Sequence, residues 1–200
     1  MSNIFIVADT HFSQLSICNF LNVDGVKMRP WDNADEMDEA LIENWNAVVR
    51  PQDKVYHLGD VAMKRDAIKL IGRCNGHKRL VRGNHDAYPM KYYLPFFEEI
   101  YGSRVFDDMI FSHIPLHPES VKPRWTCVHG HVHSNIRPLQ FGPKYLNVSI
   151  EMTEWRPLSI EEVRERIRRQ VQEVEERRLE SARLLDFLRV PERYRSHLKE

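Results

Sequence analysis

The sequence predicts an α/β layered domain, on two observations. Short apolar runs alternate with stretches whose apolar residues recur every three or four positions. Strands alternating with helices in this way favour helices layered on a sheet. The runs also end in polar clusters of Asp, Asn, His and Gly, and ligands in open α/β sheets gather beyond the carboxyl ends of strands.

Each element follows from its own residues. Ile4-Phe5-Ile6-Val7-Ala8 is apolar on every residue, the pattern of a strand covered on both faces. Phe12 to Asn33 shows no clear period and contains Asp24-Gly25 and Pro30. It is expected to form a long surface loop, and loops of that length are often functional flaps. Met37, Leu41, Trp45 and Val48 mark an amphipathic helix that Pro51 ends. Val55 to Leu58 reads as the second strand, and Leu80-Val81 as the third. Between them, Ile68 and Ile71 suggest a short helix ended by Asn75-Gly76. Tyr92 to Ile100 is expected to be a third helix, with Pro95 near its start. Met109 to Phe111, Trp125 to Val128 and Tyr145 to Ile150 read as three further strands. Ser159 followed by Glu162 is a capping box that opens a helix running to about Val190, before Pro191. Its apolar stripe (Val163, Ile167, Val171, Val174) loses phase at Arg178 and resumes with Leu179, Leu185 and Leu188. The expected division is a catalytic domain over residues 1–158 and a helical extension over 159–200.

Composition limits the function classes. The chain has 200 residues, 42% of them hydrophobic, enough for one substantial core. Mean hydropathy is -0.52, and no apolar run approaches a membrane span, so no membrane association is expected. Twenty-nine basic residues balance twenty-nine acidic ones, for a net charge of +0. That argues against strong nucleic-acid binding through a bulk basic field, while leaving room for a local phosphate site. Cys18, Cys74 and Cys127 are odd in number and form no C-x-x-C pair, so a reducing cytoplasm is the expected setting. Ile4 to Ala8 is too short for a signal peptide, and no charged segment precedes it.

Five polar motifs follow successive strands. They are Asp9-Thr-His11, Gly59-Asp60, Gly83-Asn84-His85-Asp86, His113 and Gly130-His131-Val132-His133. Converging on one sheet edge, they would supply carboxylates, imidazoles and one amide, with no thiolate. Such a set suits Zn, Mn, Fe or another first-row divalent metal better than calcium or a sulfur cluster.

In this order, the motifs D-x-H, G-D, G-N-H-D, a lone His and G-H-x-H resemble those of the calcineurin-like metallophosphoesterases. Each motif alone is weak; the ordered set, from Asp9 to His133, is specific. The resemblance implies two facing β-sheets flanked by helices, here followed by the long C-terminal helix, with two divalent metals at the sheet edge. It implies that Asp9, His11, Asp60 and His133 hold one metal. Asp60, Asn84, His113 and His131 would hold the other, with Asp60 bridging. Mn²⁺ is the first expectation, with Fe, Zn or Ni as alternatives. A pair of cations about 3.5–4 Å apart can clamp the oxygens of an in-line displacement, and a water held between them ionises near neutral pH to become the nucleophile. Two divalent cations against two carboxylates and one hydroxide leave a positive site, suited to an anionic diester.

By the same resemblance His85 is the acid that protonates the leaving alkoxide, and Asp86 is expected to orient it. Asn84 and Arg82 are candidate substrate-binding residues, and Gly83 would let the backbone turn beneath the phosphate. His57 and His129 read as satisfied core histidines, and Trp31 as packing against the first helix. Where many small relatives have Gly-His after D-x-H-Phe, this chain has Ser13-Gln14. The function implied is a phosphodiesterase on small diesters such as 2′,3′-cyclic nucleotides. The alternative is a phosphomonoesterase acting on proteins or nucleotides, followed by a nuclease and a non-catalytic scaffold. The C-terminal helix is a candidate homo-oligomer contact.

Overall fold

The computed structural model describes residues 2–135 and 141–189. Strands β1 (Ile4–Val7), β2 (Lys54–His57), β3 (His77–Val81) and β4 (Glu99–Tyr101) run parallel in one sheet. Strands β5 (Ser103–Phe106), β6 (Met109–Ser112), β7 (Thr126–His129) and β8 (Tyr145–Asn147) form a second sheet in that order. β9 (Leu158–Ser159) closes the first sheet, which reads β4-β3-β2-β1-β9, and pairs antiparallel with β1.

Strand alternation explains how the layers meet, since successive side chains point to opposite faces. Phe5 and Val7 join Val55 and Leu80 beneath helix α1 (Ala34–Val48), packed against Leu41, Trp45, Ile68 and Ile71. Ile6, Tyr56, Leu58 and Val81 face the other way, onto Phe111, Val128 and Leu146 of the second sheet. The register pairs Phe111 with Val128 and Val128 with Leu146, so those three form one inward row. The architecture is therefore two mixed sheets flanked by helices, the α/β sandwich expected.

Capping fixes both long helices. Asn33 Oδ1 accepts from the Glu36 amide at 2.7 Å to start α1. At helix α2 (Ile160–Arg189) both arms of the capping box form: Ser159 Oγ accepts from the Glu162 amide at 3.2 Å, and Glu162 Oε2 accepts from the Ser159 amide at 2.8 Å. Ile160 and Val163 are buried, whereas Val171 is 38% and Leu179 60% exposed, so only the first turns of the stripe enter the core. The expected end at Val190 and the side chains of Leu185 and Leu188 lie outside the described residues. Among the described residues, no helix is long and apolar enough to cross a membrane.

One element differs from expectation, and two take a more specific form. Tyr92 to Ile100 is not a helix: a 3₁₀ turn over Met90–Tyr92 leads through turns into β4. Tyr93 and Phe97 are both buried at helical spacing, which mimics an amphipathic helix. Pro95 has no N–H to continue it. The short helix expected around Ile68 and Ile71 is present as a 3₁₀ helix over Arg65–Arg73, with Ile68 and Ile71 buried three residues apart, the spacing that eclipses in a 3₁₀ helix. The Phe12 to Asn33 segment is a loop, but one with its own packing. It carries a 3₁₀ turn over Leu15–Asn19, a Leu21–Lys27 bridge, and buried Ile17, Cys18, Met28 and Arg29. Trp31 packs at the edge of the α1 core and meets Trp155 edge-on at 4.9 Å.

Candidate metal centre

The strand ends deliver their polar residues to one edge. Asp9 follows β1, Asp60 follows β2, Asn84 and His85 follow β3, His113 follows β6, and His131 and His133 follow β7. Asp9, His11, Asp60, His131 and His133 all have φ between 48° and 71°, in the left-handed region. A non-glycine residue there is strained by about 1–3 kcal/mol, and such residues cluster at functional sites. Two glycines allow the close approach. A Cβ at Gly83 would collide with the carboxylate and amide of Asp60, and one at Gly130 with the Asp9 carboxylate.

The side chains fall into two groups. Asp9, His11 and His133 offer ligand atoms within 4.8 Å of one another, and so do Asp60, His113 and His131. Asp60 joins the two groups. Its Oδ2 lies 3.5 Å from His11 Nε2 and 3.3 Å from His113 Nε2. Asn84 Oδ1 stands 2.9 Å from His113 Nε2, adding a neutral oxygen to the second group. His113 Nδ1 donates to the Leu58 carbonyl at 2.8 Å, which leaves Nε2 facing the site. The His131 amide donates to both Asp9 oxygens, at 3.1 and 3.0 Å.

Electrostatics match a cation site. Burial pushes the Asp9 carboxyl up to about 6, by more than the His133 and His113 imidazoles draw it down. Burial also acts upward on Asp60, but the hydrogen bond and charge of His113, with the His85 amide, hold it at about 2. Burial, reinforced by Arg29, lowers His11 well below the usual imidazole range, which favours the neutral ring. Both His11 nitrogens are buried and have no hydrogen-bond partner among the described residues. A buried imidazole with an idle lone pair, 3.8 Å from Asp9 and 3.5 Å from Asp60, fits a metal ligand. The hard carboxylates and borderline imidazoles fit a first-row divalent cation.

The side-chain geometry shows which partners Asp86 and Arg82 take. Asp86 does not hold the His85 ring. Its carboxylate accepts from the amides of Asp60 at 2.8 Å, Val61 at 3.0 Å and Gly83 at 2.9 Å, pinning the loop after β2 to the loop after β3. The Arg82 guanidinium is turned to backbone carbonyls. Its Nε donates to the Asp86 carbonyl at 2.8 Å and its Nη2 to the Tyr88 carbonyl at 3.0 Å, clamping the chain downstream of His85. Both residues build the loop that presents Asn84 and His85. His57 is fully satisfied, between Thr10 Oγ1 at 3.0 Å and the Gly59 amide at 3.2 Å, and burial lowers it to about 3. His129 Nδ1 lies 2.9 Å from the Gly130 carbonyl, and burial lowers it to about 4.

Sequence reasoning missed Glu151, which meets His133 Nδ1 at 3.1 Å. The available signal was its position at the end of the Tyr145 to Ile150 run, in the place that the other motifs occupy.

The chain is 32% identical over 177 residues to an uncharacterized protein of Methanocaldococcus jannaschii, covering 80% of this chain and 89% of that protein. The gene 66 protein of Mycobacterium phage D29 is 27% identical over 204 residues, covering 84% and 96%. A crystal structure of a protein of unknown function from Aquifex aeolicus superposes with a TM-score of 0.64 at 23% identity, covering 82% of this chain and 99% of that one, and shows the same fold. The sequence profile named calcineurin-like phosphoesterase matches residues 2–172. That span takes in both ligand groups, and the chain belongs to this family of metal-dependent phosphoester hydrolases.

Proposed function

We propose that the chain is a phosphodiesterase acting on small nucleotide-type diesters, with 2′,3′-cyclic nucleotides first among them, served by two divalent cations and preferentially by Mn²⁺. The observation that supports the diester reading is His85. It belongs to neither ligand group, yet its Nε2 lies 4.0 Å from Asp60 Oδ2, and its side chain is 42% exposed. A diester releases an alkoxide, a poor leaving group, and a positioned imidazole that protonates it contributes roughly 10²–10⁴-fold.

The cations, when bound, supply Lewis-acid charge at the phosphoryl group and a water acidic enough to act as nucleophile. The chain's own residues set the rest. Asp60 stands between the two ligand groups, and Asn84 adds an oxygen without adding charge. The Asp60 Oδ1 acceptor holds the His85 amide at 2.9 Å, which ties the acid to the carboxylate at the centre of the site.

Initial rates with Mn²⁺ on bis-p-nitrophenyl phosphate and p-nitrophenyl phosphate, measured side by side, test the reading. Faster cleavage of the diester is expected. Faster cleavage of the monoester would overturn it in favour of a phosphomonoesterase.

A further inference from the structure

His133 faces the first ligand group through Nε2, which is 4.0 Å from Asp9 Oδ1. Its Nδ1 therefore points away, and there it meets Glu151 Oε1 and Oε2 at 3.1 and 3.2 Å. Glu151 is held in turn by Arg29. Arg29 Nε donates to Oε1 at 2.8 Å, and Nη2 lies 2.7 Å from the same oxygen. The two side chains are 0% and 2% exposed. The same guanidinium donates through Nη2 to the Asp9 carbonyl at 2.5 Å and through Nη1 to the Thr10 carbonyl at 2.8 Å. One buried ion pair thus grips the imidazole of one candidate ligand, the backbone of another, and the Phe12 to Asn33 segment that supplies Arg29.

A carboxylate only accepts hydrogen bonds, so the neutral His133 ring that meets Glu151 carries its proton on Nδ1 and its lone pair on Nε2. A carboxylate behind a ligating histidine fixes its tautomer and raises its basicity. Left unbalanced, however, Glu151 would add a buried negative charge behind a group that already contains Asp9. Arg29 removes that charge while leaving the acceptor in place. Net stabilisation is a weak reason for such a pair, because a buried ion pair is often no better than apolar residues of the same volume. The second ligand group has no counterpart among the described residues: His113 is oriented by a peptide carbonyl.

We propose that Glu151 and Arg29 are positioning residues for one of the two metal positions, that of Asp9, His11 and His133: Glu151 sets the tautomer and donor strength of His133, and Arg29 balances the charge of Glu151. The Phe12 to Asn33 segment is then part of the metal centre through Arg29. This rests on the metal-site reading of the two groups.

The test is Mn²⁺ binding to the metal-stripped full chain, followed by calorimetry. Wild type is expected to show two positions. Glu151→Gln should lower the affinity of one by about 10–100-fold and leave the other unchanged. Because Glu151→Gln leaves Arg29 buried without its anion, the double variant Arg29→Met/Glu151→Gln is measured beside it. That variant has no orphaned charge and should show the same loss at one position. A third readout needs no variant: imidazole ¹⁵N shifts of the zinc-loaded wild type should show His133 protonated at Nδ1. Unchanged binding in both variants would overturn the proposal. So would equal weakening of both positions, which signals general loosening, or a His133 ring metallated at Nδ1. A wild-type chain that binds no Mn²⁺ would overturn the metal-site reading itself, a result distinct from wild-type binding that the variants leave intact.

Discussion

Asp60 and His85 sit side by side, yet their substitutions should fail in different ways. Asp60 Oδ2 stands within 3.5 Å of His11 Nε2 and 3.3 Å of His113 Nε2, so it serves both ligand groups. Asp60→Asn is expected to lower metal content at both positions after dialysis, as read by elemental analysis. A variant that retains two equivalents of Mn²⁺ would show that Asp60 does not bridge. His85 is in neither group, so His85→Asn should keep its metal. Its kcat on a 2′,3′-cyclic nucleotide should fall by about 10²–10³-fold, the usual contribution of a general acid. The fall should be smaller on bis-p-nitrophenyl phosphate, whose leaving group needs no proton. Equal losses on both substrates would remove His85 from the acid role. The ligand candidates were legible because each motif is contiguous and its residues follow a strand. The partners behind them were not. Arg29 and Glu151 are 122 residues apart, and nothing in the sequence pairs them. Asp86 misled because adjacency to His85 does not say where its carboxylate turns; it turns to amides 25 and 26 residues away.

At the scale of elements, sequence period was informative where an element buries a regular face. α1 and the start of α2 do so, while β1 was legible as an unbroken apolar run covered on both faces. It was silent for β5, whose residues are mostly exposed, and for β9, which is two residues long. Such strands exist through pairing with distant partners, as Phe5 does with Ser159. Local capping is a separable contribution. Ser159→Ala removes one arm of the capping box and should lower stability by about 1 kcal/mol in urea melts, with kcat unaffected. The junction between α1 and β2 gives a pH prediction. Burial acts upward on the Asp53 carboxyl, but the Asn3 and Arg50 amides and the Arg50 guanidinium hold it below its ordinary value of 3.8. Its contribution to stability is therefore complete above pH about 4 and is lost as the pH falls through the lower folded-state value. Asp53→Asn should destabilise the chain by about 1–3 kcal/mol at neutral pH. It should also flatten the decline in stability below pH 4. An unchanged acid limb would mean that Asp53 carries none of it.

For the whole molecule, metal binding and folding are one equilibrium. The net charge is +0, so no global field draws an anion to the site, and the positive charge that receives a phosphate must be local. The same locality strains the metal-free protein. Five candidate ligand residues hold left-handed backbone. In addition, two buried carboxylates, Asp9 and Asp60, face the same small space. A cation that binds only the folded state offsets both. At a free concentration of 100 times Kd, each bound ion adds about 2.7 kcal/mol. For a domain of this size 1 kcal/mol moves Tm by about 2–4 °C, so two Mn²⁺ ions should raise Tm by about 10–20 °C. Scanning calorimetry of the stripped chain against increasing Mn²⁺ measures this directly. The shift should keep growing with the logarithm of free metal above Kd, because linkage does not saturate, and chelator should reverse it. Asp60→Asn should show a much smaller shift at the same concentration, since it weakens both positions. A Tm indifferent to Mn²⁺ in the wild type would mean that the strained strand ends are stable without a cation, and that the two ligand groups do not hold this metal.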